Sequence, residues 1–178
     1  MDRVTTVLEF LNTLNLTAGT DSLADPSGLA DWVRTHPAGY QDEDPSIQDV
    51  AWATELREAI RDLAAGNSIG EKPAPAAYEV LDRVSGATAV RMRFTQGLPA
   101  GLESVAVGLE GAAASLLVAL YGVMESGEWA RVKVCRNPAC RWAYFDRSRN
   151  HSRIWCEMAE CGNRMKARRF RQRRLEAE

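Results

Sequence analysis

The chain has 178 residues, 46% of them hydrophobic and 26% charged, with a formal net charge of −2. These proportions exclude a wholly disordered or fibrous chain and fit one soluble domain, or a domain with a small appendage. The longest uncharged apolar stretch, 111–124, is shorter than the roughly 20 residues that span a bilayer, so no membrane segment is expected. The opening MDRVTTVLEF lacks the apolar run of a secretory signal, and a cytoplasmic location is expected.

Val4, Val7, Leu8, Leu11 and Leu14 recur at helical spacing and predict a helix over 4–16. Residues 17–25 read as a loop. Asp25-Pro26 is an N-cap with proline in the first helical position, and Leu29, Trp32 and Val33 carry that helix to His36-Pro37. A polar, acidic loop over 37–44 follows. Asp44-Pro45 repeats the start signal for a long helix through Ile47, Val50, Ala51, Leu56, Ile60, Leu63 and Ala64. Gly66 suits its left-handed C-terminal position. Residues 67–75 then read as a linker and 76–84 as a helix. Between 87 and 95, Val90, Met92 and Phe94 alternate with Ala89, Arg91 and Arg93, the clearest strand pattern in the chain. A turn over 97–101 leads into an alanine- and leucine-rich helix over 102–124, the expected centre of the core. Residues 130–134 predict a short strand.

The net charge conceals an asymmetry. Residues 131–178 hold 14 Lys and Arg against 5 Asp and Glu, a net of +9, and the first 130 residues carry −11. A basic end of this kind suits a polyanion, although it can also be merely solubilising. All four cysteines lie in the same basic part: Cys135, Cys140, Cys156 and Cys161, spaced C-x4-C, 15 residues, C-x4-C. Two disulfides would need an oxidising compartment. A structural zinc ion held by four thiolates needs only short loops within each pair, and it leaves no position open for hydrolysis. His151 lies between the pairs and could supply a ligand, sit on the surface or contact phosphate. Few large apolar residues follow Arg131, so a metal crosslink would provide folding energy there.

Beyond Cys161 the chain reads as a helix. Six of the nine residues from Lys166 to Arg174 are basic, and only Met165, Ala167 and Phe170 could face inward. Like charges three and four apart repel, and a phosphate backbone would relieve that repulsion. The candidate nucleic-acid contacts are Arg147, Arg149, Arg153, Arg164, Lys166, Arg168, Arg169, Arg171, Arg173 and Arg174. Trp142, Tyr144 and Phe145 could stack on bases or pack around the metal. Gly162 would allow close backbone approach to the metal, and Asn163 could donate toward a thiolate. In the N-terminal part, Asn12 and Thr13 interrupt an apolar stripe and could line a ligand pocket or simply be capped. Trp32 and Trp52 read as core, and Glu55 and Glu58 as a solvated helix face. No nucleophile–base pair or phosphate-cradling glycine loop occurs, so an enzyme is not expected.

The C-terminal segment, with Cys161-Gly162-Asn163-Arg164, DRSRN over 146–150 and Arg-x-Trp-Cys over 153–156, resembles the CGNR zinc finger family. Upstream, EFLNT over 9–13, Asp21-Ser-Leu23, LADW over 29–32 and LREAIRDL over 56–63 resemble the ABATE domain that precedes this finger. The resemblance implies stress-related transcription regulators that join a regulatory domain to a zinc-dependent nucleic-acid binder. The expected fold is α+β and predominantly α. It comprises a helical, ABATE-like regulatory domain over 1–130 with a small β-strand element. A four-cysteine zinc finger over 131–178, treble-clef-like or ribbon-like, ends in a basic helix. The expected cofactor is one structural Zn²⁺ and the expected partner is double-stranded DNA, with a possible small-molecule effector. RNA binding by the same surface and a protein-interaction zinc module are the alternatives.

Overall fold

The computed structural model describes residues 2–35, 44–70, 72–94, 96 and 100–175. Helix α1, Arg3–Leu11, starts where the Asp2 carboxylate accepts from the Thr5 amide. It stops at Asn12, well before the expected end. Leu14 belongs instead to β1, Leu14–Asn15, which pairs antiparallel with β2, Thr20–Asp21. Helix α2, Pro26–Thr35, begins as the Asp-Pro signal predicts, with the Gly28 amide bonded to Asp25 Oδ1 at 2.8 Å. A Cβ on Gly28 would strike the Ser22 carbonyl oxygen, so only glycine lets this helix lie so close to the loop. The expected helix end at His36-Pro37 lies outside the described residues, as do most of the acidic loop over 37–44 and of the turn over 97–101.

Helix α3, Ile47–Ile69, is the longest element. Its start is Ser46 rather than Asp44. Ser46 Oγ accepts from the Asp49 amide, and the Asp49 carboxylate accepts from the Ser46 amide, a reciprocal cap that outcompetes the Asp-Pro signal. Its end is Gly70, at φ 71°, and not Gly66, which continues the helix. Helix α4, Pro75–Ala87, lies against α3. Strand β3, Val90–Arg93, pairs antiparallel with β4, Gly101–Ser104, with Met92 opposite Leu102. The helix expected over 102–124 therefore begins only at Gly108, because residues 101–104 are taken up by this hairpin. Helix α5, Gly108–Glu125, buries Ala112, Ala113, Ala114, Leu116, Ala119, Leu120 and Val123. Among the described residues it alone is long and apolar enough to cross a membrane, and half of it is buried in the protein.

A 3₁₀ turn, Glu128–Arg131, leads into β5, Val132–Val134, which pairs antiparallel with β6, Ala143–Phe145. A wide turn, Met158–Gly162, runs directly into helix α6, Asn163–Leu175. The structure is 59% helical with only two-stranded sheets among the described residues, so the fold is predominantly α as expected. One core unites α1 to α5, with Val7, Phe10, Leu11, Leu29, Leu56, Ile60 and Val84 almost fully buried. Val132, Val134 and Ala143 join this same core, so β5 and β6 pack against the N-terminal helices.

Candidate metal centre and nucleic-acid interface

Cys135 and Cys140 flank the turn between β5 and β6. The Cys135 amide donates to the Trp142 carbonyl at 2.9 Å, and the Cys140 amide donates to the Asn137 carbonyl at 2.9 Å. This makes a tight knuckle around Asn137-Pro138. Cys156 and Cys161 sit just before and within the turn that opens α6. All four Sγ atoms lie within 4.8 Å of one another, with Cys140 to Cys156 at 3.6 Å and Cys156 to Cys161 at 3.8 Å. A tetrahedron with Zn–S near 2.3 Å has S···S edges of about 3.8 Å. A disulfide would need about 2.05 Å, and all four cysteines are free. Burial pushes the Cys135 and Cys156 thiols up, reinforced at Cys156 by the neighbouring cysteines. Four thiolates so close together need a cation between them.

The surroundings support that donor set. Asn137 Nδ2 donates to Cys161 Sγ at 3.4 Å. Asn163, expected in that role, instead donates to the Ala159 carbonyl and is exposed. Gly162 is closely packed: a Cβ there would press on Met158 Sδ, the end of a flexible, exposed side chain that could shift, and would lie 3.1 Å from Trp155 Cδ1. Tyr144, Trp142 and Trp155 pack around the cysteines and shelter the centre, whereas Phe145 packs against the main core. His151 is exposed at φ 47° and is not one of the clustered ligands.

The arginine loop that follows β6 is built on a buried ion pair that charge counting missed. Lys133 projects from β5 and is 4% exposed. Its Nζ donates to Asp146 Oδ2 at 2.8 Å, to the Arg153 carbonyl at 3.3 Å and to the His151 carbonyl. Asp146 also accepts from the Ser148 amide at 2.9 Å and the Arg153 amide at 3.0 Å. Burial alone would raise the Asp146 pKa, but Lys133 and these amides hold it well below the usual carboxylate range. One carboxylate and one ammonium thus fix both ends of the 146–153 loop. Arg153 is drawn into this scaffold. Its Nε donates to the Trp155 carbonyl at 2.8 Å, and its guanidinium lies 4.9 Å from the Tyr144 ring centre. Arg147 and Arg149 are exposed on the loop.

Helix α6 buries no residue. Of the inward candidates, only Met165 is half-buried, while Ala167 and Phe170 are exposed. The helix leans on the turn that carries Cys161, and its length projects from the metal centre. Arg164, Lys166, Arg168, Arg169, Arg171, Arg173 and Arg174 are all exposed on it. Every predicted nucleic-acid contact is therefore exposed on this module, with Arg153 alone held across a ring by the loop's own scaffold.

A second network joins the module to the helical body. Asn12 Nδ2 donates to the Ala143 carbonyl and Asn12 Oδ1 accepts from the Ala143 amide, both at 2.9 Å. Its side chain thereby pairs with the edge of β6 as a strand would. Thr13 Oγ1 donates to the Phe10 carbonyl and accepts from Arg57. Arg57 and Arg61 are 2% and 1% exposed. Arg57 forms a two-pronged pair with Asp21, at 2.6 and 2.9 Å. Glu58 bridges both arginines, so it is not simply on a solvated face, whereas Glu55 pairs with Arg83 on the surface. Arg61 donates across to the Arg141 carbonyl at 2.8 Å and to the Leu11 carbonyl.

The family comparison agrees with this arrangement. The ABATE model, described as "Putative stress-induced transcription regulator", matches residues 5–123. The chain belongs to the ABATE family. The CGNR zinc finger model matches residues 131–174 and takes in all four cysteines. No curated protein matches the chain. The metal that the CGNR finger implies is one structural zinc ion, and Cys135, Cys140, Cys156 and Cys161 fit it in number, chemistry and spacing. When bound, zinc supplies a crosslink and two positive charges against four thiolates. The basic terminus of this ABATE–CGNR chain then carries nearer +7 than +9. A knuckle between two strands with a second cysteine pair leading into a helix is the treble-clef-like of the two expected forms.

Proposed function

We propose that this chain is a transcription regulator that binds double-stranded DNA through its zinc module. The observation that carries this reading is α6: a helix with no buried residue whose Lys and Arg all face solvent, stapled to a metal centre. Such a helix has no packing role for its arginines, and phosphates would neutralise their mutual repulsion. Arg147 and Arg149, on a loop held from beneath by Lys133 and Asp146, add positive charge to the same module. They can position the protein on a backbone, and arginine can also read guanine edges in the major groove. Four thiolates leave the zinc no open position, which favours a regulator over an enzyme.

The N-terminal region would then sense a small ligand and transmit its presence through Asn12 and Arg61, the two side chains that grip β6 and the Arg141 carbonyl. Asn12 and Thr13 both line a cavity of about 730 Å³.

Binding of the zinc-loaded protein to duplex DNA, structured RNA and single strands, across salt concentrations, tests the reading. About six phosphate contacts predict a log–log salt slope near −5 on duplex DNA. A slope near zero, or no duplex binding at low salt, removes it. Tighter binding to RNA redirects it to an RNA partner. Capture of an acidic protein that survives nuclease treatment would favour an interaction module.

A further inference from the structure

The 730 Å³ cavity beside Asn12 lies between the helical body and the zinc module. Leu8, Glu9 and Asn12 of α1 and its cap form one wall, and Asp31 and Trp32 of α2 form another. Trp142, next to β6, lines this open cleft on the zinc side. Its size falls within the usual range for small-molecule sites, and most of its surface is apolar. Three features define what would fit. Two indoles line it. Trp142 is half-buried against the cysteine cluster, and Trp32 is set by Phe10, with ring centres 4.9 Å apart. No Lys or Arg side chain is among its described lining residues, although Arg57 lies behind Thr13, already paired with Asp21 and Glu58. Two carboxylates line it. Asp31 is paired with Arg34 at 2.6 Å, whereas Glu9 is exposed and makes no ion pair among the described residues.

Indole faces and an uncommitted carboxylate both attract positive charge, and the apolar lining accepts a flat hydrocarbon body. We infer that this cavity binds a small organic cation with an aromatic or similarly flat apolar body, its charge at Glu9 and its body against Trp32 and Trp142. The inference rests on the reading of the N-terminal region as a sensor and names the class of ligand sensed.

Three matched probes test this on the full-length, zinc-loaded protein: 2-phenylethylamine, charged positive at pH 7, 3-phenylpropionate, charged negative, and neutral 3-phenylpropanamide. Binding is read by thermal shift and by tryptophan emission, with Trp142→Phe assigning the optical change. The amine should bind at least roughly fivefold tighter than either partner. Glu9→Gln should remove most of that preference, and Glu79→Gln, remote on α4, should leave it intact. Equal or tighter binding of the carboxylate, binding indifferent to Glu9→Gln, or no binding of any probe into the millimolar range overturns the assignment. DNA affinity with and without saturating amine is read separately. Amine binding that leaves DNA affinity unmoved sustains the site and removes the sensing role, so the two ideas fail in different ways.

Discussion

Val7, Phe10, Leu11, Leu29, Ile60 and Leu116 are each at most 1% exposed, yet the thirteen residues of α6 bury nothing. The helical body holds itself together by removing apolar surface from water, at about 25 cal/mol for each Å². Around its cysteines the zinc module has only Tyr144, Trp142 and Trp155 among the described residues, so it relies on a metal crosslink and on Lys133 with Asp146. The two regions meet at β5 and β6, whose Val132, Val134 and Ala143 belong to the body's core while their connecting turn belongs to the metal. The module is thus anchored by packing at its root and by zinc at its tip. A tip that is rigid yet contributes little burial can present charge without compromising the core.

Removing the metal should break the comparison most sharply. Structural zinc in small fingers contributes on the order of 10 kcal/mol or more to folding. Chelation, or Cys161→Ser, should release residues from about 146 onward while leaving α1 to α5 folded. Hydrogen exchange would show lost protection confined to that segment, with β5 retained by Val132 and Val134. Uniform loss across the chain would mean that body and module fold as one unit.

Arg61 comes next, because it spans the seam. Arg61→Met would strip the Arg141 and Leu11 carbonyls of their buried donor and leave Glu58 with one arginine fewer. Breaking a buried charged network costs about 3 kcal/mol, or roughly 10 °C in melting temperature for a chain of this size. Thermal unfolding of the zinc-loaded variant measures it. A change under about 3 °C would mean that packing alone holds the seam.

The charge on that seam could not be read from the chain. Arg57 and Arg61 stand in LREAIRDL as on any solvated helix, and what buries them lies elsewhere: Asp21 is 36 residues away and the Arg141 carbonyl 80. The strand at Gly101–Ser104 was equally hidden. It leads straight into an apolar run that suits a helix, and only the pairing of Leu102 with Met92 makes it extended. Local signals that satisfy themselves were the legible ones. The Asp25-Pro26 cap and the equal spacing of the cysteine pairs needed no distant partner, and both led to the observed structure. The end of α3 shows the limit of a local signal: Gly66 and Gly70 both suit a helix end, and the turn between them is held by distant partners, with Asn67 donating to the Trp129 and Val132 carbonyls and Ser68 accepting from the Val134 amide. At the metal centre the ligands were legible and their support was not. Asn137 reaches Cys161 across 24 residues, and neither charge nor spacing marks it in the chain.

Acid should separate body from module again, with a smaller effect. Burial raises the Asp21 pKa, but its hydrogen bonds to Arg57 and to the Leu23 amide outweigh that and hold it below the ordinary 3.8. A lowered folded value means that the ionised form stabilises the native state. This stability is fully present above pH 3.8 and is lost as pH falls through the depressed value. In metal-free protein, where zinc release cannot contribute, urea midpoints should fall as pH drops from about 5 to about 3. Asp21→Asn should flatten that fall. An equally steep fall in the variant would place the acid sensitivity in other carboxylates of the body.

The smallest expected effect on stability accompanies the largest on binding. Replacing Arg168, Arg169, Arg171 and Arg173 with Gln removes four exposed charges and no buried atom. Pairs such as Arg168 with Arg171 and Arg169 with Arg173 repel by only a few tenths of a kcal/mol each. The variant should therefore melt within about 1 °C of the parent or slightly higher, and its zinc stoichiometry should be unchanged. If the four side chains contact phosphates, the salt slope on duplex DNA should shrink by about 3 to 4. Affinity at moderate salt should fall by more than about a hundredfold. A variant that melts well below the parent would show these arginines to be structural, contrary to a helix with nothing buried. One that melts normally and keeps its salt slope would leave the 146–153 loop as the main contact, with Arg147 and Arg149 held ready by Lys133 and Asp146.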